Sequence, residues 1–220
     1  MRVRPVVSHS SSTPAIWRGV TGEPWQGELA TAVTWGPGAE FGMVPLGDGR
    51  VYWYGAIIAE HRQRFPEPDE MGAVRAHFGG WHDPIPALMA ATDPAAVIRT
   101  DIHYLAVPPP AYHAGAVALL GDAAHAMTPH LGQGANQAIE DAVVLAAVCD
   151  PDGDVVAALA EYDRRRRPRA QGVARAALRT GRFGQQLRNP VAIALRNTAM
   201  RITPRQVALR SMARHADWTP

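Results

Sequence analysis

The sequence predicts a mixed α/β (α+β) chain: an antiparallel sheet first, then a strand–loop–helix unit, then a run of helices. Three observations predict it. Residues 15–59 hold short runs rich in β-branched and aromatic residues, punctuated by Gly and Pro. Residues 116–120 (AVALL) form a short, wholly apolar run that enters a glycine-containing loop. From Gly134 onward, apolar residues recur at helical spacing.

The elements follow in order. Residues 8–13 (SHSSST) are polar and read as loop, and strands are expected at 15–21, 29–35, 40–46 and 51–59. Between the last two, Leu46-Gly47-Asp48-Gly49-Arg50 is a hairpin turn by its Asp-Gly pair. Strand alternation puts Tyr52 and Tyr54 on one face and Trp53 on the other. Helices are expected at 68–78 and 84–91, each opened by an acid next to a proline. Residues 98–107 read as a further strand, closed by three prolines at 108–110 that mark a domain crossing. The run 116–120 suits a strand buried on both faces. In the next helix Ala138, Ala142, Leu145 and Cys149 lie near one face, with Ile139, Val143 and Ala146 beside it. Residues 150–154 end that helix. Another is expected over 154–167, interrupted or restarted at Pro168, with further helices at 172–188 and 190–201. The domains expected are a sheet domain with two helices at 1–110, a strand–loop–helix segment at 111–150, and Arg-rich helices at 151–220.

Composition narrows the class. The chain has 220 residues, 47% of them apolar, enough for one large domain or two small ones. No apolar run approaches the roughly 20 residues that span a bilayer, and no apolar signal core follows the basic first residues. Cys149 is the sole cysteine, so no intrachain disulfide forms; a reducing cytoplasm is the expected location. All 22 basic residues are arginines, which reads as compositional bias. Charge is split: residues 164–220 hold fourteen arginines and one acid, Asp217, whereas 1–163 hold eight arginines and nineteen acids. Such a tail either docks on the acidic body or meets an anionic partner. Nucleic acid is the lesser of these readings.

The densest chemistry lies in GDAAHAMTPHLGQGANQAIED, residues 121–141. Asp122 follows a strand-like run, where α/β sheets hold ligands; it reads equally as a ligand carboxylate for sugar hydroxyls or as a cap on the turn. Gly132 and Gly134 let the backbone approach a ligand, and the helix start behind them offers unpaired N–H groups and partial positive charge. The alternative is a loop that only turns the chain. His125 reads as structural, and its spacing to His130 makes no metal site, so no metal is expected. Tyr52 could orient an aromatic substrate or simply pack in the sheet, and Arg18 and Arg99 could anchor an acidic substrate or serve the structure.

The segment 121–146 resembles the second flavin motif of the class A FAD-dependent aromatic hydroxylases. It is most similar to the salicylate hydroxylase, urate hydroxylase and zeaxanthin epoxidase branch, with its GDAAH…P…GQG…N…EDA pattern. Weaker echoes are Trp17-Arg18-Gly19, Phe41-Gly42, Pro45-Leu46, 49–53 (GRVYW), Tyr162-Asp163 and 165–169 (RRRPR). The resemblance implies a cofactor-binding set of Gly121, Asp122, Pro129, Leu131, Gly132, Gln133, Gly134, Ala135 and Asn136. Asp122 would bond the ribityl chain of FAD. Pro129 would lie beside the isoalloxazine ring where dioxygen reacts, and 131–136 would face its pyrimidine edge. It also implies NAD(P)H as reductant and a flavin C4a-hydroperoxide that hydroxylates an electron-rich ring or epoxidises an alkene. It further makes 1–110 the substrate-binding domain, with Tyr52 the substrate-side candidate, and 111–150 the C-terminal part of the FAD-binding domain. The family's strand–GxGxxG–helix unit and its upstream Asp-Gly motif are not in this sequence. The chain is therefore expected to match the C-terminal half to three-fifths of such a protein. Residues 116–120 are expected to lack strand neighbours, and a separate chain or segment to supply the ADP-binding half. The alternatives are a noncatalytic remnant or split-enzyme subunit and, further off, an anionic-surface binder.

Overall fold

A computed structural model describes residues 12–60, 69–204, 206–207 and 217–219. The chain divides into two compact units. One comprises His9–Ile102 with Gly184–Ile193; the other comprises His103–Phe183 with Ala194–Pro220.

The first unit is built on a five-stranded antiparallel sheet. Its strands are β1 (Ser12–Val20), β2 (Ala32–Gly36), β3 (Ala39–Pro45), β4 (Val51–Glu60) and β5 (Ile98–Asp101), in the order β2-β3-β4-β1-β5. The β3–β4 hairpin closes at the expected Asp-Gly turn, with Leu46 N–H donating to the Arg50 carbonyl at 2.8 Å. One sheet face carries Trp17, Phe41, Met43, Trp53 and Ile57, all buried, and packs on α1 (Glu70–Phe78) and α2 (Ile85–Ala90). The buried indoles keep their polar ends satisfied. Trp53 Nε1 donates to Thr92 at 2.8 Å, and Trp17 Nε1 to Glu70 at 2.7 Å. Asp69 caps α1 through the Gly72 N–H. Residue 68 and most of the polar run 8–13 lie outside the described residues, but Ser12 and Thr13 already belong to β1.

The second unit has little sheet. A two-stranded ribbon, β6 (His113–Ala114) and β7 (Val117–Ala118), precedes α3 (Asp122–His125), a 3-10 turn (Pro129–Leu131) and α4 (Gly134–Val148). Then comes α5 (Val155–Phe183), and most of α6 (Pro190–Ile202) belongs here too. Its apolar core is Tyr112, Ala124, Val144, Tyr162 and Ala170.

Five further expectations need correction. The second strand starts at Ala32 rather than 29. The strand expected over 98–107 ends at Asp101, where pairing with β1 stops; Leu105 N–H instead bonds the Ala126 carbonyl at 3.0 Å. The run 116–120 is not buried on both faces: Val117 is 67% exposed and Leu120 46%, and among the described residues it pairs with the two-residue β6 alone. Pro168 does not interrupt the helix. A single helix, α5, runs 29 residues through it. Ion pairs bind the turns on both sides: Arg164 to Glu161, Arg167 to Asp163 and Arg169 to Glu140. Last, α4 buries its polar face. Gln137, Glu140, Asp141 and Val144 are inside, while Ile139 and Val143 are 62% and 40% exposed.

Candidate functional site

The inversion of α4 shapes the motif loop. Asp141, fully buried on α4, accepts three hydrogen bonds: from the Gly121 N–H at 2.9 Å, His125 Nε2 at 2.6 Å and Arg166 Nε at 2.8 Å. Burial pushes its carboxyl up, but the His125, Arg166 and Gly121 donors together outweigh that and hold it below the usual range. Arg166, also buried, bonds Glu140, the Gln137 carbonyl and Gln137 Oε1, and its guanidinium stacks on Trp218 at 5.7 Å. Arg169 grips Glu140 with both ends of its fork, at 2.6 and 2.7 Å. Burial raises Glu140, but Arg169 and Arg166 lower it further, leaving its carboxyl also below the usual range.

This network positions the motif residues. Gly121 is pinned by its N–H and turns the chain with φ +56. Asp122 is thereby left exposed in the first turn of α3, with its carboxylate clear of the buried pairs. His125 is the structural residue the sequence suggested, closed inside against Asp141. The 3-10 turn that opens with Pro129 is seated by His130, whose ring packs on the bare Cα of Gly181 in α5; a Cβ there would come within 2.4 Å of it. Gly132 then takes the left-handed conformation, φ +63, with open space where a side chain would be. α4 begins two residues later, with no side-chain cap from Gln133. Its first N–H groups have no helical partners by geometry. Leu131, Gln133 and Gly134 are half-buried, and Ala135 and Asn136 are exposed.

The donor set suits a flavin. An exposed carboxylate can accept from hydroxyls. A bare glycine loop and an uncapped helix start can meet a polar ring edge and stabilise negative charge on it. Thus Gly121, Asp122, Pro129, Leu131, Gly132, Gln133, Gly134, Ala135 and Asn136 fold as one continuous piece of the second unit.

Tyr52 belongs to the first unit. It lies with Tyr54 on the sheet face opposite Trp53, as alternation predicted, with ring centroids 6.4 Å apart. Gly42 lies directly across from Tyr54, and a Cβ on it would come within 2.1 Å of the Tyr54 ring. Burial first, then the charge of Glu40, pushes the Tyr54 phenol well above its ordinary pKa. Glu40 is itself buried and accepts from Trp35 Nε1 at 3.0 Å. Arg18 pairs across from Tyr54 and donates to Thr100 at 2.6 Å. Arg99 faces the other way and is ion-paired to Asp101 at 2.7 Å.

Sequence reasoning missed the Glu140–Asp141–Arg166–Arg169 network. Its signal was the charge split: an arginine run with too few local acids, and a Glu-Asp pair inside a helix with no other charge. Among the described residues, no His, Cys, Asp and Glu group could hold a metal ion, and no helix is long and apolar enough to cross a membrane.

Residues 31–177 match the family model described as FAD binding domain. The chain is 40% identical over 190 residues to the aurachin C monooxygenase/isomerase of Stigmatella aurantiaca, covering 86% of this chain and 49% of that protein. It is 39% identical over 137 residues to a FAD-dependent urate hydroxylase of Klebsiella pneumoniae, covering 60% of this chain and 34% of that one. The crystal structure of Klebsiella pneumoniae HpxO complexed with FAD and uric acid superimposes with a TM-score of 0.82 at 26% identity, covering 96% of this chain and 54% of that one. A salicylate hydroxylase substrate complex shares the fold, with a TM-score of 0.66 at 20% identity. The chain spans about half the length of the aurachin C monooxygenase/isomerase and of HpxO, and its match to the urate hydroxylase covers about a third of that protein. By its family match and these likenesses, the chain belongs to the FAD-binding monooxygenase family.

Proposed function

We propose that this chain is the flavin-ring half of a FAD-dependent monooxygenase that uses NAD(P)H and dioxygen to hydroxylate a small aromatic substrate. The observation that carries the reading is the motif loop: an exposed Asp122, a left-handed Gly132 and an uncapped α4 start on one continuous stretch. When bound, FAD supplies the electron transfer and oxygen activation. The chain's own residues do the rest. Asp122 accepts from the ribityl hydroxyls, Pro129 bounds the space beside the ring, and the backbone of 131–136 donates to its polar edge. Tyr52 orients the substrate ring. The arginine run that opens the tail is a poor anion binder in this reading, since Arg164–Arg167 and Arg169 are engaged by Glu161, Asp163, Glu140 and Asp141.

A second reading is favoured by a specific observation. Ile139 and Val143 on α4, with Val117 of β7 and Leu120 just after it, are exposed. In this reading these residues belong to the surface that a partner covers. In this reading the chain is a split-enzyme subunit or remnant that needs a separate ADP-binding half. One experiment addresses both. Purified chain is mixed with FAD, alone and with the N-terminal half of a full-length relative. A bound-flavin absorbance spectrum supports the flavin site. Its dependence on the added half selects the split reading, and its absence in both mixtures overturns the flavin reading.

A further inference from the structure

Within the second unit, α5 supports the motif loop at two points. One is the Arg166–Asp141 pair, through which Gly121 and His125 are held. The other lies further along the same helix, where Gly181 meets His130. From Arg166 to Gly181 the helix rises about 22 Å. The first point therefore serves the Asp122 end of the loop, and the second serves the turn that opens with Pro129.

The backbone of α5 does not ask for glycine at 181. The residue lies inside the helix and is not one of the glycines with positive φ. Glycine also weakens a helix relative to alanine. Ala170 and Ala177 lie on the same side of α5 by helical spacing, and both are fully buried alanines. What sets Gly181 apart is the ring that stands over it. An added Cβ would lie 2.4 Å from His130 Cε1, 2.6 Å from Nδ1 and 2.8 Å from Nε2. All three distances are far inside the roughly 3.5–4.0 Å of a good contact, so the ring must move as a body. The turn that carries the ring has little slack. It is three residues long, Pro129 fixes its own φ, and Gly132 N–H closes on the Pro129 carbonyl at 2.8 Å.

We propose that Gly181 is a positioning residue for the ring side of the flavin site: it makes room for the His130 ring and so sets where Leu131 and Gly132 stand. This rests on the flavin reading above, in which the backbone of 131–136 donates to the polar edge of the ring. Gly181 touches no cofactor in that arrangement; it acts through His130. The ribityl side, held through Asp141, is separate from it.

The test is Gly181→Ala in the whole ¹⁵N-labelled chain, with two readouts. The first needs no flavin. The amide resonances of Leu131 and Gly132 should move, while those of Gly121 and His125 stay in place. The second is flavin retention in the mixture with the N-terminal half of a relative. It should weaken about ten-fold, the scale of one lost hydrogen bond. In a chain already carrying His130→Ala, adding Gly181→Ala should change neither readout, because the clash is gone. Val173→Ala, a buried truncation on the same helix, should lower the urea midpoint and leave both readouts in place. Unmoved Leu131 and Gly132 amides overturn the proposal, as does unchanged flavin retention when they do move. If Gly181→Ala alone fails to fold, folding of the double variant upholds the coupling to His130, and its failure overturns it. Absence of bound flavin with the unaltered chain counts against the flavin reading instead, and the amide readout still decides whether Gly181 sets the turn.

Discussion

Arg166 Nε donates to Asp141 Oδ1 at 2.8 Å, and both side chains are closed off from solvent. The two residues lie 25 positions apart, on α5 and α4, so the pair ties the long helix to the motif helix. Removing one member strands a buried charge. Arg166→Ala is expected to cost about 3–5 kcal/mol. Arg165→Ala, which removes an exposed i,i+4 pair with Glu161, is expected to cost under about 1 kcal/mol. Urea titrations of the two variants check this; equal losses would contradict the buried network.

The same network sets an acid limit. Asp141 and Glu140 have carboxyls held below their ordinary range in the fold. In the unfolded chain they return to about 3.9 and 4.3. Their stabilising contribution is therefore complete above those values and is lost as pH falls toward the lower folded values. Urea midpoints should be flat with respect to these groups from pH 7 to about 5 and then fall steeply below about 4. The double variant Glu140→Gln/Asp141→Asn should start lower and fall less steeply.

On the sheet, Gly42 is the seat of the Tyr54 ring. A methyl group there would overlap the ring, so the tyrosine must swing out. Gly42→Ala is expected to cost about 1–3 kcal/mol, as overpacking does. It should also shift the tyrosine near-ultraviolet circular dichroism, since Tyr52 and Tyr54 are neighbours. Retention of both stability and spectrum would show that Tyr54 is not fixed against Gly42.

Asp122 separates the role of the site from the stability of the fold. Its side chain is exposed and apart from the buried ion pairs. Asp122→Ala should change the stability read from urea titration by no more than about 0.5 kcal/mol, as for ordinary surface positions. In the mixture with FAD and the N-terminal half of a relative, it should weaken flavin retention at least ten-fold. Unchanged retention would remove Asp122 from the proposed cofactor contacts.

How far the sequence anticipated these features depends on where the information lies. Hairpin and strand alternation are local. The Asp-Gly turn at 48–49 follows from turn chemistry, and the facing of Tyr52 and Tyr54 away from Trp53 follows from the two-residue period. The glycines and proline of 129–134 likewise mark their own turn. What escaped was set by distant partners. Pro168 ends helices on local grounds, yet here ion pairs from Glu140, Glu161 and Asp163 hold the turns around it. Apolar spacing made Ile139 and Val143 neighbours of the inner face, yet Arg166 draws the polar side of α4 inward instead. A buried arginine reverses the usual rule, and only the paired acids reveal it.

That reversal leads to the last prediction. Ile139 and Val143 are exposed on α4, while the opposite side of the helix is already filled by Gln137, Glu140, Asp141 and Val144. If the outward side has no partner, a polar substitution there is neutral or favourable. If it is the seat of a missing half, the same substitution is silent in the isolated chain and damaging in the assembly. Ile139→Glu with Val143→Glu should leave the stability of the chain alone within about 1 kcal/mol, since surface changes are small and nearly additive. The same double variant should lose the bound-flavin spectrum that the unaltered chain gains when the N-terminal half of a relative is added. Gel filtration of the mixture gives the independent reading: co-elution with the added half for the unaltered chain, separate peaks for the variant. Co-elution of the variant would show that the outward face of α4 is not where the other half sits.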